Sequence, residues 1–283
     1  MHISRRKFTK LLATYPALAA LSSVACQGSK NAERDFGIIT FTIKEPIKSD
    51  FEGTIAFLSE VGYRKLEFGS FEAILPEAEA RNILKDHGLK PVSGGGSIAD
   101  LQNDFDKQIQ LMNFYEKEYM ICYWPWHGGA DDKTADDFKK VAEAFNILGE
   151  KCKQEGFKFA FHNHNQEFVK TGENQLGYDI LLNETDANLV HMELDVYWAK
   201  KGNADPIAYM ENYPDRFHLL HLKDMDDTAE GSFEVVGDGI IDFGKVLSTS
   251  DKIGVKHLIV EHDAPADPMY CARRSIEHLK SLS

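Results

Sequence analysis

From Phe36 onward, short apolar runs typical of buried strands alternate with longer segments that have the apolar spacing of a helix. The predicted strands are Phe36–Ile43, Arg64–Phe68, Lys90–Ser93, Tyr119–Tyr123, Phe157–His164, Leu189–Asp195, Arg216–Asp224 and His257–Asp263. The predicted helices are Asp50–Val61, Pro76–His87, Asp104–Tyr115, Asp131–Glu155, Tyr178–Glu184, Pro206–Asn212, Phe243–Asp251 and Pro268–Leu282. Eight alternations predict an α/β fold, a single-domain (β/α)8 TIM barrel over residues 36–283, with a doubly wound open sheet as the alternative. The run Gly94-Gly95-Gly96 after strand three predicts a loop whose backbone passes close to another segment.

The last four predicted strands each end in residue types that bind metal ions. These residues are His162 and His164, Asp195, His221, and Glu261. The carboxyl ends of barrel strands meet at one rim, so we expect these side chains to converge there. Two carboxylates with imidazole suit one divalent ion (Mn, Zn, Co or Mg) that keeps open positions for substrate. The pattern does not decide which strand-five histidine is the ligand.

Residues i and i+2 of a strand share a face, so each of these four strands has one face that carries the candidate ligands and one apolar face. The face opposite the candidate ligands is apolar and suits a covering of helices: Phe161, Val190, Met192, Leu194, Leu220, Leu222, Leu258 and Val260. His191 and Glu193 share the face of Asp195 but lie deeper, as a polar layer. Lys223 shares the face of His221, so we expect it to contact substrate and take part in catalysis.

Other strand ends supply further candidates. Glu67 ends strand two, and Trp124, Trp126 and His127 follow strand four; all four are candidate substrate-binding residues. Aromatic rings at a barrel mouth suit stacking on sugar faces, although simple packing explains the tryptophans equally well. Glu167, three residues after His164, is a candidate general base or a residue that supports a ligand. The full set of candidate catalytic residues is Glu167, His162, Lys223 and Glu261.

The amino end has the pattern of a cleaved export signal. Residues 1–10 contain four cations and no acid, and Leu11–Ala25 is apolar and small. Ser4 to Phe8 resembles a twin-arginine motif, and Ser23 to Cys26 resembles a lipobox. We therefore expect a signal peptide over 1–25, lipidation of Cys26 and a tether over 27–35. The predicted location is periplasmic or membrane-anchored, with membrane contact only through the lipid.

Charge and cysteine content exclude some classes of function. Beyond residue 30 the chain has 27 Lys and Arg against 45 Asp and Glu, a net charge of −18, which disfavours nucleic-acid binding. Besides Cys26, the cysteines are Cys122, Cys152 and Cys271, which are widely spaced and fit neither a disulfide framework nor a zinc site. We expect a small-molecule partner, and nothing in the sequence indicates an oligomeric state.

Four motifs together resemble the sugar phosphate isomerase/epimerase family of xylose-isomerase-like TIM barrels, whose relatives include inosose dehydratases, ketose 3-epimerases and endonuclease IV. The motifs are His162-Asn163-His164 with Glu167-Phe168, Asp195-Val196-Tyr197-Trp198, His221-Leu222-Lys223-Asp224 and Val260-Glu261-His262-Asp263. The resemblance covers about residues 36–282. It implies a metal held by Glu, Asp, His and Glu from strands five to eight. Asp195, His221 and Glu261 match three of these, whereas His162 stands where the epimerases have Glu, so one base of their two-glutamate proton shuttle is missing.

The function predicted first is a divalent-metal-dependent sugar isomerase or epimerase that moves a proton next to a carbonyl through an enediolate. The alternative is a metal-dependent lyase or dehydratase, which eliminates from a keto-sugar or 3-keto-glycoside. A third possibility is a non-catalytic carbohydrate-binding lipoprotein. The expected partner is a small sugar or keto-glycoside in all three.

Overall fold

The computed structural model describes residues 34–68, 76–130, 132–171 and 175–283. The predicted signal peptide, Cys26 and most of the predicted tether lie outside these ranges. Within them, no helix combines the length and the apolar character needed to cross a membrane.

Eight parallel strands form a closed barrel. They are β1 (Phe36–Ile39), β2 (Lys65–Phe68), β3 (Lys90–Ser97), β4 (Tyr119–Trp124), β5 (Lys158–His162), β6 (Val190–Asp195), β7 (Phe217–Leu222) and β8 (His257–Val260). Each strand pairs with its neighbours in sequence, and β8 closes the ring onto β1 with Phe36 opposite Leu258. The TIM-barrel prediction is confirmed, and the open-sheet alternative is wrong.

Helices follow the strands around the outside of the barrel. They are α1 (Lys44–Ser49), α2 (Phe51–Val61), α3 (Glu77–Asp86), α4 (Ile98–Asn103), α5 (Phe105–Phe114), α6 (Ala135–Gln154), α7 (Gly177–Glu184), α8 (Val196–Lys201), α9 (Pro206–Asn212), α10 (Phe243–Ile253) and α11 (Pro268–Ser281). A 3-10 helix spans Asn165–Phe168. The short helices α1, α4 and α8 were not predicted, because six residues are too few to show a helical period.

Local side-chain hydrogen bonds set where the helices begin. At the start of α6, the Thr134 hydroxyl accepts from the Asp137 N–H, and the Asp137 carboxylate accepts from the Thr134 N–H at 3.1 Å. This reciprocal pair satisfies backbone donors that the first helical turn leaves free. It also explains why the helix starts at Ala135 rather than at Asp131, where the sequence pattern had placed it.

The glycine run after Lys90 was expected to be a loop passing close to another segment. It belongs instead to β3, where Gly94, Gly95 and Gly96 pair with β4. A Cβ at Gly95 would overlap the carbonyl oxygen of Ile121 on β4. The close approach was therefore predicted correctly, and the loop was wrong.

Side chains alternate between the two faces of each strand, so the barrel has one hydrophobic core outside the ring of strands and another inside it. Outward side chains such as Phe161, Met192 and Leu220 join the large cluster beneath the helices. The barrel interior holds small apolar clusters made of Tyr119, Ile121, Ala160 and Leu219, and of Ile39, Val92 and Ile259. These apolar layers separate polar groups at the two ends of the barrel. Cys122, Cys152 and Cys271 are buried and unpaired.

The amino-terminal end of the barrel holds three imidazoles, which we call the histidine floor: His191, His218 and His257. His191 and His218 stack with ring centroids 3.7 Å apart, and the Tyr119 hydroxyl lies 3.0 Å from His218 Nδ1. His257 Nε2 lies 3.4 Å from a carboxylate oxygen of Glu118. Burial lowers the pKa of all three imidazoles, to about 3 for His191 and about 4 for His218 and His257.

Candidate metal centre

The candidate ligands lie at the carboxyl rim of β5 to β8, as the alternation predicted. In the barrel register His162 lies opposite Glu193, and Asp195 lies opposite His221. Glu261 comes directly after β8. The side chains of His162, Asp195, His221 and Glu261 are all buried, and each offers a ligand atom within 4.8 Å of those of the other three.

His164 lies outside this group of four. Its ring centroid is 4.9 Å from that of His162, and it contacts the rings of Trp124 and Trp198 at 5.7 and 5.4 Å. β5 ends at His162, so His164 lies in the following turn and the alternation no longer sets its direction. The geometry therefore places His162, rather than His164, with the other candidate ligands.

Two buried atoms of the group lack hydrogen-bond partners. Asp195 Oδ1 accepts from the Trp198 N–H at 2.8 Å, but its Oδ2 makes no hydrogen bond, and neither does His162 Nδ1. Burial raises the pKa of Asp195 to about 7. Buried polar atoms without a hydrogen bond are costly, and a divalent cation bound by both atoms would satisfy them. Two imidazoles and two carboxylates also suit Zn²⁺ or a related ion, so the residues fit a metal.

His221 is the centre of a carboxylate network. Its Nδ1 lies 2.8 Å from Glu261 Oε2, and its Nε2 lies 2.8 Å from Glu67 Oε1 and 3.3 Å from Glu193 Oε1. Burial alone would lower the pKa of His221, but these three carboxyl groups raise it well above its usual value. Glu67 also accepts from the Ser93 hydroxyl at 2.6 Å. Carboxylates behind a ligating histidine orient its ring, so Glu67 and Glu193 fix which nitrogen faces the rim.

Glu67, predicted to contact substrate, lies behind His221 in the structure. Its side chain is fully buried beneath the candidate metal centre, and His221 and Ser93 occupy its carboxylate. Glu193, expected to belong to a deeper polar layer, does so. Its pKa is raised well above the usual value by burial and by the neighbouring Glu67.

Asn163 has a positioning role that the sequence reasoning missed. Its side-chain oxygen accepts from the Asp195 N–H at 3.0 Å, and its amide nitrogen donates to the Asp195 carbonyl at 3.3 Å. The carboxamide thus ties the end of β5 to the end of β6. The central position in the His-Asn-His triplet was the available signal, since a fully buried Asn needs partners.

Lys223 is almost completely buried among acids and aromatic rings. Its Nζ lies 3.2 Å from Glu261 Oε2, 3.6 Å from Asp195 Oδ2 and 2.5 Å from Asp263 Oδ1. The rings of Trp198 and Phe233 lie 4.9 and 5.0 Å from it. Burial would lower the pKa of Lys223, but the three carboxylates raise it. The ammonium therefore stays charged and holds the acids of the rim together.

Glu167 is fully buried behind the rim. Its Oε2 accepts from the His164 N–H at 2.6 Å, and burial raises its pKa to about 7 although that N–H and the Trp126 indole oppose the rise. It does not line the cavity that opens above the candidate metal centre. Of its two expected roles, the position matches support of the His164 turn and not that of a general base.

A cavity of about 300 Å³ opens above the candidate metal centre. Its walls are Ile39, Phe41, Tyr123, Trp124, His162, His164, Glu261 and Asp263. Trp124 is therefore at the cavity, whereas Trp126 packs on Phe138 with ring centroids 5.0 Å apart, and His127 is exposed outside it. Phe41, Tyr123 and Asp263 were not among the predicted site residues. Asp263 could have been found, because the predicted strand His257–Asp263 placed it on the same face as Glu261.

Comparison with known proteins identifies the family. A model of the xylose isomerase-like TIM barrels matches residues 55–282. The chain belongs to this family. Among solved structures, a sugar phosphate isomerase/epimerase from Parabacteroides distasonis ATCC 8503 has a TM-score of 0.78 at 24% identity, covering 94% of this chain and 98% of that one. The resemblance of the motifs to xylose-isomerase-like TIM barrels is confirmed by the match of the family model.

Three further known proteins are similar over most of the chain. The inosose dehydratase of Clostridium beijerinckii is 28% identical over 240 residues, covering 75% of this chain and 74% of its own. That of Geobacillus kaustophilus is 29% identical over 266 residues, covering 80% and 85%. The IOLI protein, solved with a bound zinc atom, has a TM-score of 0.69 at 17% identity, covering 88% and 96%.

Proposed function

We propose that the protein is a divalent-metal-dependent lyase that eliminates water or an alcohol from a neutral keto-sugar, such as a 3-keto-glycoside. The observation that carries this proposal is the pair His162 and His164 at the cavity, where a two-carboxylate shuttle would need a glutamate. Two relatives named as dehydratases, each similar over about three quarters or more of this chain, support elimination over isomerisation. The isomerase predicted first is thus the less supported alternative.

His162, Asp195, His221 and Glu261 would hold the ion. When bound, the ion would draw electron density from the substrate carbonyl and so make the adjacent C–H more acidic. The zinc of the IOLI protein is consistent with this donor set, but it does not identify the metal here.

His164 is the group best placed to move the proton. Its ring lines the cavity, it lies outside the candidate ligand set, and its Nδ1 is buried without a hydrogen bond. We assign it the removal of the proton next to the carbonyl. The C–H electron pair forms a carbon–carbon double bond, the C–O bond to the leaving group breaks, and the same imidazole returns the proton to the departing oxygen. No other reactant is needed.

The cavity walls indicate the class of substrate. Phe41, Tyr123 and Trp124 offer aromatic faces for a sugar ring. Among the described residues, no Arg or Lys lines the cavity, and nearby Lys223 is already paired with carboxylates. A phosphate group would meet Glu261 and Asp263 without a free cation, so we propose an unphosphorylated substrate.

The test uses p-nitrophenyl 3-keto-β-glucoside and zinc- or manganese-loaded protein in deuterated water. We expect release of p-nitrophenol together with an unsaturated ketone, and loss of release on chelation. His164→Gln should lower the rate at least about 100-fold, whereas His127→Gln, an exposed histidine outside the cavity, should not. Deuterium in a recovered sugar isomer without release would contradict the lyase and support an epimerase. Absence of both metal binding and turnover would support the non-catalytic binder.

Export and lipidation of Cys26 stay a prediction from the sequence. Metabolic labelling with a palmitate analogue tests it. Wild-type chain should carry the label, and Cys26→Ser should not.

A further inference from the structure

A second cavity lies on the outer wall of the barrel, between α7 and α9. Its volume is about 600 Å³, and it shares no lining residue with the cavity above the candidate metal centre. We call it the tyrosine groove. Its lining includes Asp179 and Asn183 on α7, and Tyr209, Asn212 and Tyr213 on and just after α9.

The rings of Tyr209 and Tyr213 are stacked nearly parallel to each other, and we call this pair the shelf. Their planes are inclined by only 20°, with centroids 6.3 Å apart, because the residues are four positions apart along the chain. Cages for quaternary ammonium groups enclose a cation between several ring faces, which a single stacked pair does not do. A shelf of this kind suits the flat C–H face of a pyranose.

Tyr209, one of the two rings of the shelf, is held in place before any ligand arrives. The Tyr209 hydroxyl donates to Asp179 Oδ1 at 2.7 Å. Its ring packs against Phe168 and Tyr178, with centroids 5.6 and 5.3 Å away. Rigid aromatic platforms lose little conformational entropy on binding, so such a surface is preorganised.

The polar groups of the groove suit hydroxyl groups. Asn183 and Asn212 are exposed, and neither side chain makes a hydrogen bond within the described protein. A carboxamide both donates and accepts, as a sugar hydroxyl does. Asp179 and Asp205 are the charged residues among those lining the groove, which disfavours anionic ligands.

We propose that the tyrosine groove is an accessory binding site for a neutral oligosaccharide. It would hold a glycan chain on the outside of the barrel, independently of the cavity at the rim. The proposal does not depend on the proposed lyase activity, because its test measures binding and not turnover.

The experiment is calorimetric titration of the full chain with maltohexaose and with cellohexaose, and separately with choline and with inorganic phosphate. We expect saturable binding of at least one hexaose. Tyr213→Ala should weaken it about tenfold or more, and Asn183→Ala, which leaves both rings in place, should weaken it in the same direction. Tyr270→Ala is the matched control, because that tyrosine is 55% exposed and lies far along the chain on α11.

Several results would overturn the proposal. They are an absence of saturable hexaose binding, hexaose binding that Tyr213→Ala and Asn183→Ala leave unchanged, and binding of choline or phosphate in place of the hexaoses. Light scattering on the same samples provides the last check. A change in molecular mass caused by Tyr213→Ala would show that the groove is a contact between copies of this chain.

Discussion

Asp224, two residues after the end of β7, determines the shape of the loop beside the candidate metal centre. Its Oδ1 accepts from the backbone N–H groups of Met225 and Ile241 at 2.8 and 3.1 Å. Its Oδ2 accepts from those of Gly237 and Gly239 at 2.9 and 3.1 Å. One buried carboxylate therefore binds both ends of the segment between residues 225 and 241.

The substitution Asp224→Asn keeps the size of the side chain but removes half of its acceptors. The amide nitrogen would face two backbone donors, each of which loses its partner at a cost of about 1–3 kcal/mol. The expected destabilisation of the docked loop is therefore about 2–6 kcal/mol, unless the loop detaches at a smaller cost. Detachment would also displace Phe233, whose ring lies 5.0 Å from the Lys223 ammonium.

Amide hydrogen exchange by mass spectrometry, with urea unfolding on the same proteins, measures this effect. We expect faster exchange across residues 225–241 in Asp224→Asn and a lower free energy of unfolding. Asp227→Asn is the control, since Asp227 is exposed in the same loop and makes no side-chain hydrogen bond within the described residues. Exchange and unfolding identical to wild type in Asp224→Asn would refute the reasoning.

Three other predictions concern acid stability, packing and ligand orientation. The imidazoles of the histidine floor are neutral in the folded protein and take up protons near pH 6.5 in the unfolded chain. Urea unfolding should therefore show that stability falls as the pH is lowered from about 6.5 to about 4. For the almost fully buried His257, the upper limit of this loss of stability is roughly 3 kcal/mol. His257→Gln should make the loss smaller, and a wild-type stability that does not change with pH would contradict the prediction. Gly95→Ala should lower stability by about 1–3 kcal/mol through overlap with β4, measured as a lower Tm, and an unchanged Tm would be inconsistent with the close approach. Glu67→Gln should weaken Zn²⁺ binding about 10–100-fold, because the His221 ring would no longer be held in one orientation. Chelator competition measures the affinity, and an unaltered affinity would show that Glu67 does not orient the ring for metal binding.

The order of the elements and the sorting of their faces followed from the sequence. Phe161 and Leu220 pack outward and His162 and His221 point inward, because a strand exchanges faces at every residue. The same rule failed at His164, since β5 ends at His162 and the turn that follows has its own geometry. The rule holds only while a residue stays in the sheet.

Trp126 likewise lies beyond the end of β4, in a loop. The depth of Glu67 has a different origin. Glu67 lies near the end of β2, which placed it at the rim, but depth along the barrel axis depends on the register between neighbouring strands. β2 shifts register against β3 between Leu66 and Glu67. The register between two strands depends on residues that are far apart in sequence, so no local pattern predicts it. The tyrosine groove was missed for the same reason, since it requires knowing that α7 and α9 face each other.

The pairing of β1 with β8 joins residues 36 to 38 with residues 258 to 260. Every strand of the ring thus has two neighbours, and the ring itself offers no edge to another chain for intermolecular pairing. Folding, by contrast, must close a loop that spans almost the entire domain before this last pair forms. A nascent chain released without β8 would expose two unpaired edges and the buried acids of the rim together, and so would invite aggregation.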